Sequence, residues 1–173
     1  MRNWFRKDGL SKIEREIISN VDLHGCHLNG VFDPDGQEPS FVYSIGFTKT
    51  MQKRNKPDFP EVIICGLPGD YCGTAINELL AVCAAGQELH EEARIEGFFG
   101  DYDGIVRMVH QSRIDEEFFN SAIWYHRTQM NRELEKVAML VWPDANGVFP
   151  WEDGCEVWVK KDQPALYEAR LAS

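Results

Sequence analysis

A chain of 173 residues with 43% hydrophobic and 27% charged side chains carries enough apolar material to bury a core unaided, which excludes a disordered tail and a disulfide-stapled miniprotein. Its 18 Lys plus Arg against 28 Asp plus Glu leave a formal charge of −10, which repels phosphate backbones and anionic lipid. Neither nucleic acid nor membrane is therefore an expected partner, and a protein or small-molecule partner stays open.

The amino-terminal stretch is interrupted by Arg6, Lys7 and Asp8, so it lacks the apolar run of a secretory leader, and no later run is long enough to cross a bilayer. Cys26, Cys65, Cys72, Cys83 and Cys155 are odd in number, sit largely in apolar stretches and form no C-x-x-C pair. Buried thiols in a reducing, cytoplasmic compartment are the expectation. One domain is expected, with residues 1–21 forming a cover helix continuous with an α+β body over 22–173.

Ser11-Lys12-Ile13-Glu14 has the form of a capping box ahead of Ile17 and Ile18, which starts a helix at residue 11. Cys26 to Phe32 and Ser40 to Thr48 read as strands joined through the turn residues Asp33-Pro34-Asp35-Gly36. Met51 to Asp58, charged and without apolar periodicity, reads as an exposed loop before a strand at Glu61 to Cys65. A helix over Asp70 to Ala85 puts Tyr71, Ala75, Leu79 and Val82 on one side and stops at Gly86.

Arg94 to Phe99 and Gly104 to His110 flank Gly100-Asp101-Tyr102-Asp103 as a hairpin. A further helix over Asp115 to about Met130 carries Phe118, Phe119, Ile123 and His126 on one side, and Val137 to Trp142 reads as a buried strand. With no regular βαβ alternation, the expected architecture is a five- or six-stranded, mostly antiparallel or mixed sheet with about three helices.

His24-Gly25-x-His27, Phe41-x-Tyr43-x-Ile45-Gly46, Pro60-Glu61, Gly66-Leu67-Pro68, Val141-Trp142-Pro143-Asp144, Phe149-Pro150-Trp151 and Gln163-Pro164 together resemble a bacterial family, domain-of-unknown-function family 4262. The likeness runs from about residue 22 to 166, with Cys26 standing where the family's first motif carries tryptophan. The resemblance implies kinship but no activity, cofactor or catalytic residue.

Trp142-Pro143-Asp144 invites comparison with tyrosine phosphatases, whose general-acid Asp works beside a C-x5-R loop. The sixth residue after each cysteine is Phe32, Tyr71, Glu78, Leu89 or Lys161, so the arginine is missing and that chemistry is rejected. Trp142, Asp144 and Trp151 then read either as a turn covering the core edge or as an aromatic binding lip. Gly66 to Gly69 reads as a strand-to-helix turn, since it lacks the lysine of a phosphate loop.

His24, Cys26 and His27 offer soft or borderline donors for zinc or copper. On a strand the two histidines face opposite ways, so a distant partner such as His110 or His126 is needed to complete a site. Tyr43 and Ser44 are further pocket candidates beside Gly46. The leading expectation is a non-catalytic ligand-binding or protein-interaction module. Its alternative is a small metal- or cofactor-dependent enzyme with a pocket near His24, His27, Tyr43 and Asp144, the cofactor being unnamed by any motif.

Overall fold

A computed structural model describes residues 9–172. The capping box is formed as read: Ser11 accepts from the Glu14 amide at 3.1 Å and Glu14 accepts from the Ser11 amide at 2.6 Å, opening α1 (Lys12–His24). The helix buries Ile17 and Val21 and ends where Gly25 turns left-handed at φ 90°. It therefore runs past residue 21, and the first eight residues of the expected cover segment lie outside the described residues.

Strands β1 (His27–Val31) and β2 (Phe41–Ile45) form the first antiparallel pair, with His27 opposite Ile45 and Val31 opposite Phe41. The expected extension of β2 to Thr48 does not occur. Gly46, at φ 89°, breaks the extended backbone, and helix α2 (Phe47–Gln52) follows. The expected exposed loop from Met51 is corrected with it: Met51 is fully buried, and only the residues after α2 form a loop.

Strand β3 (Glu61–Cys65) pairs antiparallel with β2 and parallel with β6 (Val137–Val141). Both are buried along their whole length, as the central strands of a covered sheet must be. Between them run α3 (Gly69–Ala84), the hairpin β4 (Arg94–Phe99) and β5 (Tyr102–Met108), and α4 (Glu116–Gln129). The result is one mixed six-stranded sheet in the order β1-β2-β3-β6-β5-β4, and the fold is α+β.

Side chains alternate along the strands, so the sheet has a core on each face. One contains Val42, Val62, Ile64 and Leu140 with Leu79 of α3, Met51 of α2 and Val159 of the short α5 (Val157–Asp162). The other contains Tyr43, Ile63 and Met139 with Val21 of α1 and Phe119 of α4. The α3 face differs from the expected row at both ends, where the buried stripe is shifted by one position. Cys72, Ala75, Ile76, Leu79 and Cys83 are buried, whereas Tyr71 and Val82 are exposed, because the cysteines act as small apolar residues along an adjacent stripe.

Candidate functional site

Where the β2–β3 ladder stops after Tyr43 opposite Ile63, the Ser44 hydroxyl takes over and accepts from the Val62 amide at 2.9 Å. The same hydroxyl donates to Glu61 Oε1 at 2.9 Å. Glu61 opens β3 fully buried, and its carboxylate also receives the amides of Phe47 at 2.9 Å and Thr48 at 3.1 Å, the first residues of α2. From α4, His126 Nε2 donates to Glu61 Oε2 at 2.7 Å. One hydroxyl, two backbone amides and an imidazole nitrogen thus converge on two oxygens and satisfy a polar group whose burial would otherwise be costly.

This Ser44–Glu61–His126 arrangement differs from a nucleophilic triad. There the imidazole lies between hydroxyl and carboxylate and removes the serine proton. Here the carboxylate lies in the middle and Ser44 donates to it, so no base addresses the hydroxyl. His126 Nδ1, Tyr125 OH and Thr48 Oγ1 are buried polar atoms without a hydrogen-bond partner among the described residues, and all three belong to elements gathered around Glu61. Burial, with Asp22 and then Glu61 nearby, pushes the Tyr125 hydroxyl pKa well up, so it stays a neutral phenol.

Helix α2, pinned at its start by Glu61, contributes Thr50, and the turn that follows it contributes Arg54. With His24 and Gly25 at the end of α1, and Asn77, Leu80, Ala81 and Ala84 of α3, they line a groove of about 510 Å³. Thr50 Oγ1 donates to the Gly25 carbonyl and ties α2 to the end of α1. Cys26 Sγ, at the start of β1, donates to Asn77 Oδ1 at 3.8 Å. Burial, and then Glu61, push the Cys26 thiol up to about 12.

The family model described as Domain of unknown function (DUF4262) matches residues 20–156. The chain belongs to that family. Within the matched span of this DUF4262 chain lie every residue of the Glu61 cluster and of the groove; Val157 to Tyr167, which carries α5, lies outside it. No curated protein and no solved structure matches.

The residues singled out from sequence fall in several places. His24 sits in the last turn of α1, exposed at the groove, so the strand-face reading of the His24–His27 spacing does not apply to it. His27 is half-buried on β1, where Nδ1 accepts from Asn20 Nδ2 at 2.9 Å and burial lowers its pKa against the pull of Glu16. With Cys26 turned to Asn77 and His126 committed to Glu61, the proposed metal donors are divided among different partners. Among the described residues no group of three His, Cys, Asp or Glu side chains is placed to hold a metal ion.

Tyr43 is fully buried beneath α4, meeting Phe119 edge-on at 5.5 Å and donating to Asn120 Oδ1 at 3.3 Å. Asp144 lies at the other end of the sheet. Cys65 pairs with Phe41, and Trp142 Nε1 donates to the Cys65 carbonyl at 2.8 Å, so Trp142 and Asp144 follow the Phe41 end of β2. His27 pairs with Ile45 at the opposite end. The structure thus does not bring His24, His27, Tyr43 and Asp144 into one pocket.

Trp142 is buried, and the Asp144 carboxylate is spent on the amides of Asn146, Val148 and Glu156. Trp151 is 37% exposed, stacked on Phe149 at 5.2 Å. The Arg107 guanidinium lies against both the Trp151 and Tyr167 rings, 4.5 and 4.1 Å from their centroids, and its Nε donates to Glu91 at 2.6 Å. Glu91 also accepts from the Met108 amide at 2.9 Å. The reading of Trp142 to Trp151 as a core-edge turn accounts for Trp142 and Asp144, while Trp151 and Arg107 staple the carboxyl-terminal stretch to β5.

The sequence named Glu61 only as the start of a strand and His126 only as a helix-face residue and distant metal donor, and did not pair the two. Glu61 is a carboxylate opening an otherwise apolar strand directly after Pro60, and such a residue needs a buried partner. His126, on the apolar side of a helix, needs one as well. Their mutual demand was the available clue.

Proposed function

We propose that this domain is a non-catalytic ligand-binding module whose ligand lies in the groove between α1, α2 and α3. The observation that carries the reading is the groove itself, about 510 Å³ with His24, Thr50, Arg54 and Asn77 as its polar edge and Leu80, Ala81 and Ala84 as its apolar wall. Volume and lining match the roughly 300–1,000 Å³, largely apolar clefts with a few placed polar groups that hold small molecules. The Glu61 cluster supports it from behind by fixing α2, which contributes Thr50 and leads directly into the turn carrying Arg54. The enzyme alternative has less support, since its four residues lie at different places and the buried serine faces a carboxylate.

Thermal unfolding of the purified protein with millimolar adenosine, AMP, glucose, glucose 6-phosphate, citrate and benzoate tests the reading. A ligand at about 100 times its Kd raises Tm by roughly 5–10 °C. Asn77→Trp, which fills the groove from the exposed face of α3, is expected to abolish that rise while leaving the circular dichroism unchanged. Shifts that survive Asn77→Trp, or no shift with any of the six, overturn the proposal.

A further inference from the structure

We infer that the groove is selective for an anionic ligand, a phosphate- or carboxylate-bearing small molecule; this rests on the binding-module reading above. The chain is acidic overall, at −10, yet from Gly46 to Pro57 it carries Lys49, Lys53, Arg54 and Lys56 and no Asp or Glu. That run is α2 and the turn behind it, one wall of the groove. A local cation cluster on a protein whose net field repels anions concentrates anion binding at that place.

Arg54 is the residue positioned to make the contact. It lines the groove, is exposed, and forms no ion pair among the described residues, whereas Lys56 is engaged with Glu88. Lys49 sits over the Tyr125 ring, 5.7 Å from its centroid. A free guanidinium presents a planar fork that receives a carboxylate or phosphate through two parallel hydrogen bonds. No carboxylate lines the groove to occupy that fork.

The remaining polar groups are of matching kind. Asn77 contributes an amide and His24 an imidazole to the same lining as Arg54, each able to donate. Leu80, Ala81 and Ala84 of α3 offer a shallow apolar surface for the uncharged body of the ligand. The structure thus favours an amphipathic anion, with its charge at α2 and its apolar part on α3, over a neutral sugar or an amine.

Matched pairs decide the class: AMP against adenosine, glucose 6-phosphate against glucose, and benzoate against benzamide, each followed by calorimetry and thermal unfolding of the full chain. The anionic member of at least one pair is expected to bind at least tenfold more tightly than its neutral partner, and more weakly at high salt. Arg54→Ala should lower that affinity about tenfold or more, and Lys53→Ala, off the groove, much less. Neutral members binding equally well, with Arg54→Ala indifferent and Asn77→Trp still blocking, would remove the anion selectivity and leave the groove standing. Anion binding that survives Asn77→Trp would place the ligand elsewhere and overturn both.

Discussion

Glu61 Oε2 lies 2.7 Å from His126 Nε2 with both side chains buried, and because the same oxygen accepts from the Thr48 amide, one carboxylate joins β3, α4 and the start of α2. Removing either partner strands the other in the interior. Glu61→Ala or His126→Ala is expected to cost about 3–5 kcal/mol in urea unfolding. The double variant should cost at least about 1 kcal/mol less than the sum, because the second substitution removes a group already orphaned. Strictly additive losses would show that the pair is not the energetic unit its geometry describes.

Glu61→Gln tests the charge separately from the shape. The amide offers one acceptor oxygen and one NH2 group to a cage of donors from Ser44, Phe47, Thr48 and His126. At least one backbone amide is left facing a donor, so a loss of about 2 kcal/mol or more is expected. An isosteric variant as stable as the parent would show that the site needs no ionised carboxylate.

Much of this fold was legible because its cues are local. Ser11 and Glu14 form their capping box, the Gly100 to Asp103 turn joins a hairpin, and the apolar runs at Glu61 to Cys65 and Val137 to Trp142 become central strands. What was misread depends on contacts distant in sequence. Helix α2 is only six residues long, and its first amides are satisfied by a carboxylate 13 and 14 positions away. A helix so short has no propensity signature strong enough to announce itself.

The candidate site was legible only in fragments. His24 reaches the groove and Ser44 reaches the Glu61 cluster, but Arg54 looked like one more charge in a loop. Only the packing of α1, α2 and α3 turns it into a lining residue. Trp142 and Asp144 formed the most conspicuous motif, and they serve a turn: one indole nitrogen on the Cys65 carbonyl and one carboxylate on three amides.

That carboxylate gives the acid limb of stability a specific source. Backbone donors, Val148 first, then Glu156 and Asn146 against an opposing effect of burial, hold the Asp144 pKa below the ordinary value. A carboxyl group with a depressed folded-state pKa stabilises above its unfolded value, near 4, and loses that contribution as pH falls through the folded value. Asp144→Asn should therefore unfold at lower urea than the parent at pH 7, with the difference shrinking below about pH 4. A difference that does not vary between pH 7 and pH 3 would assign the effect to packing alone.

Thiol chemistry provides an independent check on the two cores. All five cysteines are unpaired and buried, and burial, the largest cause in each case, pushes Cys72 up to about 11 and both Cys26 and Cys83 up to about 12. Thiolate is the reactive form, so the folded protein at pH 8 should consume less than one equivalent of a disulfide reagent within minutes and five after denaturation. Rapid reaction of even one thiol in the native state would show that a core opens more readily than its packing implies.

Gly46 is the point on which α2 turns, and its requirement for glycine has two separable parts. Its φ of 89° lies in the left-handed region, and a β-carbon there would fall 2.5 Å from both methyl carbons of Val21. Gly46→Ala should cost about 1 kcal/mol for the backbone and a further 1–3 kcal/mol for the overlap. Val21→Ala removes the methyl groups at the expense of a small cavity on α1, so the double variant should regain the overlap while retaining the backbone cost. Urea unfolding of the four proteins measures both parts: a coupling of about 1 kcal/mol or more assigns the overlap to Val21, and additivity sinks it. Because Gly46 also sets where the amides of Phe47 and Thr48 meet Glu61, Gly46→Ala should weaken any groove ligand more than Val21→Ala does, since only the former displaces the helix carrying Thr50 and the turn behind it that carries Arg54.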